Sequence, residues 1–94
     1  MRNEQRSTLA IQADILKCIT EGDKKLTHIM FCARLATKLT KSYLSSMESL
    51  GLIKRVGDIM TLTANGVKYL ELFTDFKARL KSIGIEIHTT RDFG

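Results

Sequence analysis

A mainly α domain with one small β-hairpin is the fold class the sequence predicts, on three observations. Apolar residues recur at helical intervals in four stretches, 7–21, 27–33, 37–50 and 64–83. Two β-rich runs, 53–56 and 59–62, are separated only by Gly57-Asp58, a compact hairpin signal. At 94 residues and 44% apolar, the chain has the size of a single domain with one modest core. Residues 1–94 are accordingly read as one unit: helices and hairpin in 7–62, a long helix in 63–83 and a tail in 84–94. Six aromatic residues and no Trp make a small core, so association with another subunit is expected to add stability.

In the first helix Leu9, Ile11, Ile15, Leu16, Cys18 and Ile19 supply the apolar stripe; Ser7 or Thr8 caps its start and Gly22 ends it. Asp23, Lys24 and Lys25 form a polar connector. Thr27 then caps a brief helix running through Ile29, Met30, Phe31 and Ala33. The turn at Leu35-Ala36 is too short for the chain to wander, so the third helix must pack on the second at a steep angle. In that third helix Leu39, Leu44, Met47 and Leu50 face inward, and Gly51 closes it. After the hairpin, Thr63 caps the last helix, which contains no Pro and spans roughly 30 Å at 1.5 Å per residue, up to Gly84. Val67 and Leu70 are placed against the domain's own core. Tyr69, Phe73, Phe76, Leu80 and Ile83 are spaced 4, 3, 4, 3, the seam of a coiled coil, and a partner helix is the economical occupant. Beyond Gly84 the tail alternates through Ile85 and Ile87 to His88, as a short strand or an unordered end.

Enzymatic parts are not visible. His28 and His88 are the only histidines, no nucleophile or carboxylate is placed beside either, and there is no glycine-rich phosphate loop. Cys18 and Cys32 belong to no CxxC pair and lack zinc spacing, so they read first as small buried thiols, with a disulfide or a metal as alternatives. No cofactor, metal or small-molecule ligand is inferred. No apolar stretch reaches the length of a signal-peptide core or a membrane span, so a cytoplasmic protein is expected.

Charge is distributed unevenly. Segment 24–55 holds seven of the fifteen basic residues (Lys24, Lys25, Arg34, Lys38, Lys41, Lys54, Arg55) and one of the ten acidic ones, Glu48, for a net +6. The remainder sums to −1. A positive field confined to a helix, turn, helix and hairpin suits a duplex reader, because neutralising phosphates and releasing their counterions supplies most of such a protein's affinity. On the third helix Lys38, Lys41, Ser42 and Ser45 fall at i, i+3, i+4 and i+7, a face with two cations, two hydroxyls and no carboxylate. With Thr37 in the first turn, that face is assigned to the major groove. The short wing, with Lys54 and Arg55, is expected to touch the backbone or the minor-groove edge without deep insertion, and Arg34 and Lys25 are counted among the DNA-binding residues. The face carries no Arg, Asn or Gln, the residues that make the best bidentate base contacts, so modest sequence specificity is expected. Tyr43, beside it, is read chiefly as a partial core contact.

Several motifs carry a family resemblance: Thr27-His28-Ile29-Met30-Phe31-Cys32-Ala33, then Tyr43-Leu44, Leu50-Gly51-Leu52-Ile53, and Leu62-Thr63 with Gly66. Together they resemble the small archaeal winged-helix proteins, among them the dimeric DNA-binding proteins of Sulfolobus-type archaea with a C-terminal antiparallel coiled coil. The likeness covers roughly residues 11–80. It implies a winged helix-turn-helix fold with a long C-terminal dimerisation helix, a homodimer that sets two reading helices on one face, and a regulatory or chromatin-like, nucleoid-associated role. Two departures stand out. Ala36 occupies the place where that family often has a capping Ser, which leaves the start of the third helix either frayed or capped by Thr37, and the last helix is shorter than in the coiled-coil members.

The leading expectation is therefore a non-enzymatic, homodimeric double-stranded DNA-binding protein acting as a transcriptional regulator. An architectural DNA binder and a protein-interaction module compete with it. Single-strand or RNA binding ranks third, because the predicted face has no stacking aromatics.

Overall fold

The computed structural model describes residues 6–85. Seven elements follow in order: α1 (Thr8–Thr20), β1 (Lys24–Lys25), α2 (Leu26–Ala33), α3 (Thr37–Ser49), β2 (Ile53–Val56), β3 (Ile59–Leu62) and α4 (Ala64–Lys81). The part of the tail beyond residue 85 lies outside the described residues.

α1 is the central element, and its composition explains why. Every residue from Ala10 to Leu16 is buried, including the polar Gln12 and Asp14. A helix covered on nearly all sides must have neighbours on nearly all sides, and here α2, α4 and β3 provide them. Ile15, Leu16, Ile29, Leu44, Met47 and Met60 are fully enclosed. Each such side chain contributes about 1.5–3 kcal/mol by leaving water. A second, smaller cluster joins Ala10 and Ala13 of α1 to Phe73 of α4.

The caps at the scaffold helices follow the sequence. Ser7 accepts the amide of Ala10 at 3.1 Å, and Thr63 accepts that of Gly66 at 3.0 Å while donating its own hydroxyl to Gly51 O at 2.6 Å. α3 ends as expected at Gly51, where the φ of +80° that the turn requires suits a residue without Cβ. Leu52 N donates to Met47 O and Gly51 N to Glu48 O, so the last carbonyls are satisfied. The same pair of bonds recurs past α4, from Ile85 N to Leu80 O and from Gly84 N to Lys81 O.

Gly57-Asp58 forms the two-residue hairpin loop between Val56 and Ile59, which pair directly. The sheet has a third strand that the sequence did not suggest. Lys24 and Lys25, read as a polar connector, pair with Met60 and Ile59 in the order β1-β3-β2. Two lysines show neither apolar periodicity nor β-propensity; the partner strand alone makes them a strand.

Other expectations need correction. Cys18 and Cys32 are joined in a disulfide, 14 residues apart with Cα atoms 6.0 Å from one another, and are not separate thiols. Packing of α1 on α2 brings them together, which spacing alone could not reveal. Leu50 (61% exposed) and Val67 (44%) do not face inward, and Phe31 stands out from α2 at 80%. Phe73, placed on the intersubunit seam, is 5% exposed and belongs to its own subunit's core. Tyr69 also turns partly inward: its hydroxyl donates to Gln12 Oε1 at 2.7 Å, and burial pushes the phenol above its ordinary 10.0.

Candidate nucleic-acid interface

α3 turns its buried side, Thr40, Leu44 and Met47, into the core. That fixes the opposite side. Thr37, Lys38, Lys41, Ser42 and Ser45 are all exposed, so the whole predicted reading face lies on one solvent side of one helix. Thr40, a polar residue within the inward stripe, is fully buried and returns its hydroxyl to Ala36 O at 2.8 Å. Tyr43 packs against the core with part of its surface open, as read from the sequence.

Of the two expectations for the start of α3, capping by Thr37 is not met. Ala36 is the N-cap and makes no side-chain bond, and Thr37 is the first helical residue, so it does not cap. α2 likewise begins at an N-cap, Lys25, without a side-chain bond. The helix-turn-helix pair thus begins without the side-chain caps that both α1 and α4 possess.

Between α2 and α3 the chain reverses through Arg34, which takes a left-handed conformation (φ 60°, ψ 54°), and Leu35 N donates to Met30 O at 3.0 Å. Arg34 is exposed, while Leu35 is buried and locks the turn to the core. Arg6 reaches this turn from the other end of the chain, its Nη2 lying 3.4 Å from Arg34 O and its Nη1 2.7 Å from Asp14 Oδ2. Nothing in the polar start of the sequence distinguished Arg6.

The flanking cations do not form a single cluster. Lys54 and Arg55 are adjacent on β2 and so project to opposite faces of the hairpin. Arg55 lies on the side of the buried Ile53, and its Nε meets Glu48 Oε1 of α3 at 3.4 Å. Lys25 Nζ stands 4.0 Å from Asp58 Oδ2 at the hairpin tip. Among the described residues, Lys25 and Arg55 therefore sit beside carboxylates, which the count of charges along the chain did not disclose. Among the described residues, no group of three His, Cys, Asp or Glu is arranged to hold a metal ion.

A small α2-turn-α3 unit, braced by a three-stranded hairpin sheet and followed by a long helix, matches the winged helix-turn-helix family across residues 5–81. The chain belongs to that family. No curated protein sequence matches it significantly. Several solved structures resemble it in fold. The DNA-binding protein Sso10a-2 of Sulfolobus solfataricus is 26% identical with a TM-score of 0.66, over 83% of this chain and 88% of that one. BpsR of Bordetella bronchiseptica, whose DNA binding is regulated by 6-hydroxynicotinic acid, is 16% identical with a TM-score of 0.70, over 78% of this chain. The transcriptional regulator BldR of S. solfataricus is 17% identical with a TM-score of 0.63, over 79% of this chain. This winged-helix chain spans only 57% of BpsR and 62% of BldR. No helix among the described residues is long and apolar enough to cross a membrane.

Proposed function

We propose that this winged-helix protein is a homodimeric double-stranded DNA binder that acts as a transcriptional regulator. α3 enters the major groove with Thr37, Lys38, Lys41, Ser42 and Ser45, while Arg34, Lys25, Lys54 and Arg55 meet the backbone on either side. The observation that carries this reading is the exposed α3 face, which bears two lysines and three hydroxyls without a carboxylate, on a chain of the winged helix-turn-helix family. The likeness to Sso10a-2 over most of its length supports it. The uncapped amides at the start of α3 suit a phosphate oxygen.

The homodimer reading rests on α4. Leu9, Leu72, Phe76 and Ile83 are exposed, and an apolar groove of about 260 Å³ lies between Leu9, Tyr69, Leu72, Phe73 and Phe76. Because Phe73 is buried and Tyr69 is bonded to Gln12 within the subunit, the proposed seam shifts towards Leu72, with Phe76, Leu80 and Ile83 retained and Tyr69 only at its edge.

A salt titration of duplex binding tests the reading, comparing wild type with Lys38→Ala/Lys41→Ala. Wild-type affinity is expected to fall steeply with salt, and the variant to lose about 0.9 of log–log slope per phosphate contact removed. No binding at low salt, or a slope indifferent to these lysines, moves the assignment to protein docking. The absence of Arg, Asn and Gln from the face favours one alternative, an architectural binder. Selection from random duplexes separates the two: a pseudo-palindrome with half-sites about 34 Å apart supports a regulator, and no symmetric motif supports architecture.

A further inference from the structure

If α3 reads the duplex as proposed above, the α2–α3 turn is the joint that sets its angle, and the geometry at that joint is unusual. Arg34 is the only non-glycine residue with positive φ among the described residues. L-residues adopt that conformation against a steric penalty and hold it where surrounding contacts fix it. One such contact is identifiable. The guanidinium of Arg6, from the segment before α1, lies with one nitrogen 3.4 Å from Arg34 O and another 2.7 Å from Asp14 Oδ2.

The pair is deeply enclosed, with side-chain exposures of 3% for Arg6 and 4% for Asp14. Removing two charges from water carries a desolvation cost that their attraction often fails to exceed, so a buried pair of this kind is a weak source of stability. Its planar fork does something an apolar side chain cannot: it binds a carboxylate on α1 and a carbonyl at the turn in one rigid geometry. At 8% overall exposure Arg6 is enclosed by protein and is not placed to meet a phosphate.

We propose that Arg6, anchored by Asp14, is a positioning residue for the reading helix: it holds the Arg34 carbonyl, fixes the left-handed turn, and so sets the angle at which α3 is presented to DNA. It acts on the duplex only through the turn.

The test replaces both charges with apolar groups, Arg6→Met/Asp14→Leu, so that neither is left buried and alone. Three quantities are read: unfolding temperature, hydrogen exchange at Leu35 N–H (the turn's donor to Met30 O), and duplex affinity across a salt series. The double variant is expected to melt close to wild type. Its Leu35 amide should exchange about tenfold faster, and its duplex affinity should fall about tenfold, a factor corresponding to about 1.4 kcal/mol. The salt slope should not change, because no phosphate contact is lost. Adding Arg34→Gly, which removes the steric penalty at φ 60° but also a side chain proposed to meet DNA, should shrink the effect of the double substitution on Leu35 exchange, and that shrinkage measures the coupling between Arg6 and the turn independently of duplex affinity.

Wild-type exchange and wild-type affinity in the double variant would overturn the proposal. So would a slope lowered by about 0.9, which would mean that Arg6 itself meets a phosphate. Should the double variant not fold, Arg6→Lys keeps the charge opposite Asp14 while removing the fork, and the same shifts are expected of it. Absence of duplex binding by wild type would overturn the DNA reading and the presentation of α3 with it. Leu35 exchange would still show, independently, whether Arg6 holds the turn.

Discussion

At the scale of single residues, what a charge does depends on what stands next to it. Arg55 is counted among the cations of the +6 segment, yet its Nε lies 3.4 Å from Glu48 Oε1, and both side chains are about four-tenths exposed. An exposed pair of this kind adds little to stability because water and salt screen it. It matters more for binding, since a phosphate approaching Arg55 must compete with a carboxylate already present. Glu48 is also the sole acidic residue of α3 and sits at its C-terminal end, one turn beyond Ser45 and seven residues beyond Lys41 on the same side of the helix. Glu48→Gln should therefore leave the unfolding temperature nearly unchanged, raise duplex affinity about threefold at low salt, and steepen the salt slope by up to about 0.9 per site. Measured together by fluorescence anisotropy, an unchanged affinity and slope would place Arg55 outside the DNA contact. Gly66 illustrates the same dependence on neighbours in packing. A Cβ there would meet the Leu52 carbonyl and lie 2.8 Å from Leu62 Cδ1, so the Leu-Thr-x-x-Gly motif marks the place where α4 crosses close to the hairpin.

At the scale of elements, the disulfide is the tie that periodicity could not show, and its energetic role follows from the loop it closes. Cys18 and Cys32 enclose the end of α1, all of β1 and most of α2. Closing a loop of this length constrains the unfolded chain by about 3 kcal/mol in the chain-entropy account. For a domain of this size that corresponds to a fall in unfolding temperature of roughly 10–20 °C on reduction. Calorimetry with and without a thiol reductant, set beside Cys18→Ala/Cys32→Ala, checks this; reduced and oxidised protein melting within a few degrees of each other would sink it. The elements that the sequence did reveal have strong local signals: a stripe at helical spacing in α1, a two-residue glycine loop between β2 and β3, Thr63 before α4. What it concealed is tertiary in origin. β1 is two lysines paired to a neighbour, Thr40 is buried because its helix faces the core there, and the Arg6–Asp14 pair joins residues with no pattern between them. The α3 face was legible for the opposite reason, since helix periodicity alone separates Lys38, Lys41, Ser42 and Ser45 from Leu44 and Met47.

At the scale of the whole molecule, the question is what covers α4. Its inner side is occupied: Phe73 sits between Ala10 and Ala13, and Tyr69 is bonded to Gln12. Its outer side leaves Leu72 at 61%, Phe76 at 46% and Ile83 at 70% exposed, with Leu9 of α1 at 47% beside them. A standard stable interface buries about 800 Å² on each partner, and the proposed homodimer would have to reach that by laying α4 and the neighbouring Leu9 against their copies. The two sides of α4 should therefore fail differently when altered. Leu72→Glu/Phe76→Glu should yield a monomer that keeps the helical content of wild type, because both side chains are exposed and lie outside the buried core of their own subunit. Phe73→Ala should weaken folding by about 3–5 kcal/mol, the usual cost of emptying a buried aromatic site. Sedimentation equilibrium and thermal unfolding separate the cases, and a wild type that is monomeric at tens of micromolar would refute the seam. The monomeric variant also reports on DNA. In the proposed homodimer two reading helices would bind the second half-site at high effective concentration, so losing the dimer should lower affinity for a two-site duplex far more than for a half-site. Equal losses on both duplexes would mean that each winged-helix domain binds independently, and that α4 serves some contact other than pairing the readers.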